Sequence, residues 1–397
     1  METYLLDWAN LLVRWLHLIT GIAWIGSSFY FVWLDNHLTP AGKESEAARG
    51  VTGELWSVHG GGFYHNQKLL TGPVGEPLTQ DLHWFKWEAY STWISGIALM
   101  AIIYWFGAST YLIDKSVLDL SPAAAIGISI GYIVLSWIVY DALCKVLGKH
   151  EIVLLAAVFV YVVFASWLAF QLFGARAAFV HVGVTIGTAM VANVFFVIIP
   201  GQRAMVDQIR AGQPVDPTPG LKGKQRSTHN TYFTLPVLFA MISNHYPMTY
   251  SHPYGWLVLV AIMLAGVLIR IFFVQRHKGE NNYPVLAAAV IIIVALAAWL
   301  APKAPSADAV RASGVAQVRT IVQTRCVGCH SNAPTQPGFA QPPKGVVLET
   351  MEQLGQHADK VNETVGNRYM PIGNLTQMTD EERAVIAAWF AAGAPIK

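Results

Sequence analysis

The chain has 397 residues, of which 54% are hydrophobic and 13% charged, and its mean hydropathy is +0.42. That balance belongs to proteins that live in a bilayer, not to soluble domains. A net charge of +2 gives no electrostatic ground for a nucleic-acid or strongly acidic partner.

The first apolar run, near 11–34, carries "RWLHLITGIAWIGSS" with His17 inside it. Ionisable groups in the hydrocarbon region are costly and mark function by default. Gly21 lies one turn from His17 and Trp24 two turns away, so the face beside the imidazole is open to a flat macrocycle. A polar, glycine-rich connection follows over 35–83 and contains "WSVHGGGFYHNQK". The run Gly60-Gly61-Gly62 lets backbone N–H groups approach a ligand and form an anion-binding concavity. Around it stand His59 and His65 as candidate proton acceptors, Lys68 as a cation, and Phe63 and Tyr64 as a stacking face. An ordinary loop with interfacial histidines fits the same spacing, and His83 adds one more.

Further apolar runs of spanning length, about 20 residues each, lie near 84–107, 122–144, 151–173, 178–200, 230–247, 255–275 and 283–300. With the first they make eight helices, an all-α integral membrane body over 1–300. Glu88 and Asp141 are proton-relay candidates, or simply partners of Lys86 and Lys145. Cys144 reads as a packed small hydrophobe. His181 opens the fifth run, "HVGVTIGTAMVANVFF". With the N-terminus outside, His17 and His181 fall at similar depth and form a candidate bis-histidine haem b site, with His245 a third candidate. A histidine bonded between helices is the alternative. The sixth run carries Pro236, which predicts a kink, and His229 at its inner end. His229 and His245 are sixteen residues apart, roughly 24 Å at 1.5 Å per residue, so they serve different sites. His229 joins His59 and His65 as an inner candidate.

Loop charge supports that orientation. With N-out, C-out, the inner connections carry Lys43, Arg49, Lys68, Lys145, Lys149, Arg203, Arg210, Lys222, Lys224, Arg226, Arg276 and Lys278, against little more than Lys115 and Arg176 outside. The N-terminal "METYLLDWANLL" is acidic and lacks a basic n-region, so the spans themselves are expected to direct export.

"APKAPSADAVRASG" (301–314) reads as a linker, and 315–397 as a small all-α domain. That domain holds "TRCVGCHSN". Cys326 and Cys329, spaced Cys-x-x-Cys and followed by His330, form the attachment signature of haem c, in which two thiols add to the porphyrin vinyls and histidine ligates iron. A thioether is the usual second ligand in such electron-transfer sites. Met351, Met370 and Met378 are candidates, with Met370 in "RYMPIGN" favoured because small class I cytochromes c carry Met-Pro in this place. Zinc would need a fourth ligand, and His357 is the only spare. "TDEERAVIAAWFAAG" predicts a helix with Thr379 as N-cap and acids in its first turn. Haem c is attached outside the cytoplasm, which places this domain on the periplasmic face of a bacterial inner membrane. No dinucleotide-binding, flavin or P-loop fingerprint is present.

The stretches "RWLHLITGIAWIGSSFYFVWLDN", "VHGGGFYHNQK", "HWFKWEAYSTWISG", "HVGVTIGTAMVANVFFVIIPGQR" and "STHNTYFTLPVLFAMISNHYP", followed by "CVGCH" and "MPIGN", resemble the bacterial membrane-bound urate oxidases (urate hydroxylases) with a C-terminal cytochrome c domain. The likeness runs in order over nearly the full length. It implies oxidation of urate to 5-hydroxyisourate in purine breakdown. Electrons would pass through haem to a respiratory-chain acceptor, such as soluble cytochrome c or a terminal oxidase, and no hydrogen peroxide would form. The resemblance supplies no catalytic residue list. The competing readings are a transmembrane electron conduit from quinol or a partner dehydrogenase, and a purine carrier with a regulatory cytochrome.

Overall fold

The computed structural model describes residues 1–301, 314–336 and 339–397. The expected linker over 301–314 lies outside the described residues except at its two ends. Helix α1 (Glu2–His37) is followed by a short α2 (Glu44–Ala48) and a hairpin of β1 (Val51–His59) and β2 (Gly62–Leu69). Helix α3 (Trp87–Met100) continues through two π-helical turns, Ala101–Trp105 and Ala108–Leu112. Next come α4 (Pro122–Leu147), α5 (Glu151–Leu172) and α6 (Ala175–Asn193), the last passing through a π-helical turn (Val194–Ile198) into α7 (Ile199–Arg210). Helix α8 (Thr218–Ile242), a short α9 (Pro247–Tyr250), α10 (Gly255–His277) and α11 (Tyr283–Trp299) complete the membrane body.

A helix stands at each of the eight expected runs. Among the described residues, five helical stretches are long and apolar enough to cross a membrane: 4–37, 122–147, 151–172, 175–210 and 255–277. Tyr283–Trp299 is apolar but shorter. The sixth run departs most from expectation, since α8 begins at Thr218, inside the polar "TPGLKGKQRSTHN", and ends at Ile242. The reason is packing: its polar residues Arg226, Asn230, Thr231 and Thr234 are buried against other helices, where hydrogen bonds inside the bundle replace those to water.

Helix α6 is the axis of the body. Ala177, Ala178, Phe179 and His181 are fully buried, and α6 packs against α3, α4, α5, α8 and α10. Small residues permit this closeness. A Cβ on Gly183 would lie 2.7 Å from Ala240 Cβ of α8, so this crossing requires glycine. At Gly266 of α10 the neighbours are Leu235 and Pro236, so the proline segment of α8 sits against a helix with no side chain in the way.

The C-terminal unit has its own core. Helices α12 (Val315–Arg325), α13 (Met351–Gln356), α14 (Ala358–Gly366) and α15 (Asp380–Ala391) enclose Val318, Leu354 and Trp389, each fully buried. Thr379 caps α15 as expected. Its Oγ1 accepts the Glu382 N–H at 3.2 Å, and Glu382 Oε2 accepts the Thr379 N–H at 2.8 Å, a reciprocal capping box. Glu382 also takes Arg325 at 3.0 Å, which ties α12 to α15. The loop around Gly373 rests on the end of the membrane body, where a Cβ on Gly373 would be 3.1 Å from the Thr110 carbonyl. By helix direction this end is opposite the one bearing the hairpin and the α4–α5 connection.

Candidate functional site

The glycine run does not form a ligand-binding concavity, which corrects the sequence expectation. Gly60 (φ 59°) and Gly61 (φ 80°) make the two-residue turn of the hairpin, a geometry with two positive φ values that glycine supplies at least cost. The register pairs His59 with Gly62 and Trp56 with His65. Strand alternation then puts His65, Trp56 and Glu54 on one face and His59 and Tyr64 on the other. His65 stacks on Trp56 at 4.2 Å and meets Glu54 Oε2 at 2.8 Å. The Gly42 N–H, and after it His65, hold the Glu54 carboxyl below its ordinary value of 4.5. Lys68 is taken by Asp35. His59, His65 and Lys68 therefore do not converge, and Phe63 and Tyr64 do not share a face.

His17 and His181 have separate hydrogen-bond surroundings. His17 faces α3, with Nδ1 3.0 Å from the Thr92 carbonyl and 3.1 Å from Ser95 Oγ. The close approach that allows this is at Gly96, whose Cβ would stand 3.0 Å from His17 Cε1; Gly21 is open. His181 donates Nδ1–H to the Ala177 carbonyl at 2.7 Å. Its Nε2 accepts from Ser129 Oγ at 2.7 Å, and Phe173 stacks on the ring at 4.0 Å. Both ring nitrogens are thus hydrogen-bonded inside the bundle.

His229 belongs to a buried polar network joining α4, α6 and α8. Tyr140 Oη lies 2.9 Å from His229 Nδ1. Asn193 Nδ2 donates to Tyr140 Oη and to Asn230 Oδ1, each at 2.9 Å. Arg226 donates to Asn193 at 3.2 Å and to Asp141 at 2.7 Å, and its guanidinium lies 5.3 Å from the Tyr140 ring centre. Asp141 also holds Lys145 at 2.7 Å, so it is a structural ion-pair partner in this network. Glu88, by contrast, keeps a buried Oε2 with no hydrogen-bond partner among the described residues. The sequence reading missed Tyr140, Asn193 and Asn230; the legible signal was polar residues inside apolar runs. The cavity beside Tyr140 measures about 10 Å³ and is lined mostly by apolar side chains. That is at most room for one water.

The fourth constellation is in the C-terminal unit. The His330 N–H bonds the Cys326 carbonyl at 2.9 Å, so the motif closes as one turn. His330 Nδ1 donates to the Val346 carbonyl at 3.0 Å. A carbonyl can only accept, which fixes the proton on Nδ1 and leaves the Nε2 lone pair free. Nε2 has no hydrogen-bond partner among the described residues. Cys326 and Met370 both pack on the unit's apolar core, together with Val327 and Val346. Burial pushes the Cys326 thiol up to about 12 and raises Cys329 as well, so both are neutral thiols at pH 7. Arg383 steadies the methionine loop by donating to the Met370 carbonyl at 2.7 Å and the Val365 carbonyl at 2.8 Å. No group of three or more His, Cys, Asp or Glu side chains converges on a metal position among the described residues, which speaks against a zinc cage. A free imidazole nitrogen, two unpaired thiols and a thioether, with Cys326 and Met370 on one apolar core, are the donor types that a covalently held macrocycle requires.

The model of the family described as Urate oxidase N-terminal matches residues 3–301, that is, the membrane body up to the linker. No curated protein and no solved structure matches the chain.

Proposed function

This chain belongs to the urate oxidase N-terminal family, and from that premise we propose that it is a membrane-bound urate oxidase that passes electrons to a haem c in its C-terminal unit. The overall change is urate plus water giving 5-hydroxyisourate, two protons and two electrons. Haem c, when bound, supplies a one-electron acceptor, so the two electrons leave in succession and hydrogen peroxide is not formed. The observation that supports the electron-exit half is the His330 Nδ1–Val346 bond, which leaves the Nε2 lone pair free.

In this reading Cys326 and Cys329 would hold the macrocycle through thioethers, and His330 and Met370 would ligate its iron, the Met370 loop being steadied by Arg383. A thioether ligand raises the reduction potential, which suits uptake of electrons from an organic donor. In the structure His181 has hydrogen-bond partners at both nitrogens, so the proposal is built on the C-terminal residues alone. The bias of Lys and Arg towards the opposite end of the spans supports a periplasmic C-terminal unit in a bacterial inner membrane. A soluble cytochrome c or a terminal oxidase is then the onward acceptor.

The test is anaerobic addition of urate to the purified chain while the c-type haem absorbance is recorded. Reduction, with 5-hydroxyisourate or its decay products appearing, is the expected result. Reduction by quinol but not by urate would establish the electron-conduit alternative instead.

A further inference from the structure

Where the membrane body meets the C-terminal unit there is a cleft of about 670 Å³, within the size range of small-molecule sites. Its membrane wall includes Tyr111, Arg176, Tyr250 and Tyr254, and its other wall includes Tyr369 and Arg383. None of Cys326, Cys329, His330 or Met370 lines it, so this is not the haem crevice, yet Tyr369 directly precedes Met370 in the chain.

The charged groups of the cleft are mostly spoken for. Arg368 pairs with Asp380 at 2.8 Å. Asp114 accepts from Ser116 N–H at 2.9 Å and Ser116 Oγ at 2.6 Å. Arg383 spends its donors on the Val365 and Met370 carbonyls and on Asn374. Arg176 differs. Its Nε is buried without a hydrogen-bond partner, its guanidinium lies 5.5 Å from the Tyr111 ring centre and hydrogen-bonds Tyr104, and its other electrostatic partners are Tyr250, Tyr369 and Tyr111, with no carboxylate among them. It is the second residue of α6, so the positive end of a 19-residue helix faces the same space.

We infer that this cleft binds a planar organic monoanion, with Arg176 and the α6 N-terminus holding its charge and tyrosine rings packing on its faces. The inference rests on the function proposed above: at neutral pH urate is such an anion. A donor bound here is one residue from the proposed axial methionine and crosses no bilayer to reach it. The rival cation is Arg270, only 4% exposed, stacked 3.9 Å from the Phe29 ring centre, with Nε and Nη2 unpartnered. The cleft favours Arg176 because it offers space for the ligand.

The test is equilibrium dialysis of labelled urate against the full-length chain, kept anaerobic and dithionite-reduced so that no oxidation occurs. Arg176→Gln is expected to weaken binding tenfold or more, and Arg176→Lys, which keeps charge but not the planar fork, by less. Unchanged binding in Arg176→Gln, or weakening only in Arg270→Gln, would overturn the assignment and leave the oxidase reading intact. A second measurement needs no variant: sealed proteoliposomes with the C-terminal unit outward should show haem reduction by external urate. Reduction only by urate loaded inside overturns the cleft but keeps the oxidase; a wild-type chain that neither binds urate nor is reduced by it from either side overturns both.

Discussion

His181 and His330 begin alike. Each donates Nδ1–H to a backbone carbonyl, Ala177 at 2.7 Å and Val346 at 3.0 Å. They differ at the other nitrogen. His181 Nε2 accepts from Ser129 at 2.7 Å beneath the stacked Phe173, whereas His330 Nε2 has no partner among the described residues. The first arrangement satisfies a polar group inside an apolar body; the second leaves a lone pair aimed and unused. A histidine is therefore a candidate ligand only when one nitrogen is fixed and the other is free.

That contrast can be attacked directly, starting with the largest effect. His330→Ala is expected to abolish the low-spin c-type spectrum and urate-dependent reduction while the membrane body still folds; a normal spectrum would end the ligand assignment. Met370→Leu should keep the covalent pigment but lower its reduction potential and weaken the low-spin bands, read by spectroelectrochemistry. Unchanged potential would shift the assignment to Met351 or Met378. Ser129→Ala strips His181 Nε2 of its donor, and leaving a buried polar group unsatisfied costs about 1–3 kcal/mol. Thermal unfolding in detergent should show that loss with the haem spectrum unaltered; a spectral change would reopen His181 as a ligand.

The smallest effect belongs to a third kind of histidine, the paired and stacked His65. The Glu54 carboxyl is held below 4.5 by the Gly42 N–H and by His65. A depressed acid contributes stability that is present above its unfolded value and lost as pH falls through the lower folded value. Local stability of the hairpin, followed by hydrogen exchange, should thus decline below about pH 4.5 and do so less in Glu54→Gln. The pair lies at the surface, so the difference is small.

Several features were legible from residue order alone. Apolar length placed a helix at each of the eight runs, five of the helical stretches among the described residues being long and apolar enough to span a bilayer. The Cys-x-x-Cys-His segment was legible as one tight local unit, and it closes as a single turn. Thr379 was legible as a cap for the same reason: a capping box spans four residues. The failures were of another kind. His17 and His181 share a character in the sequence, but which helix faces each, and whether a serine on α4 reaches Nε2, follows from helix rotation that periodicity does not encode. Gly60 and Gly61 looked like a cradle and make a turn, since the same torsional freedom serves both and only strand pairing chooses. Arg176 was one of two cations in the outer connections and carried no motif. Its meaning comes from the C-terminal unit closing a cleft over it. Short-range chemistry was thus determined by sequence, while the sharing of groups between distant segments was decided only when packing had assigned every donor and acceptor its partner.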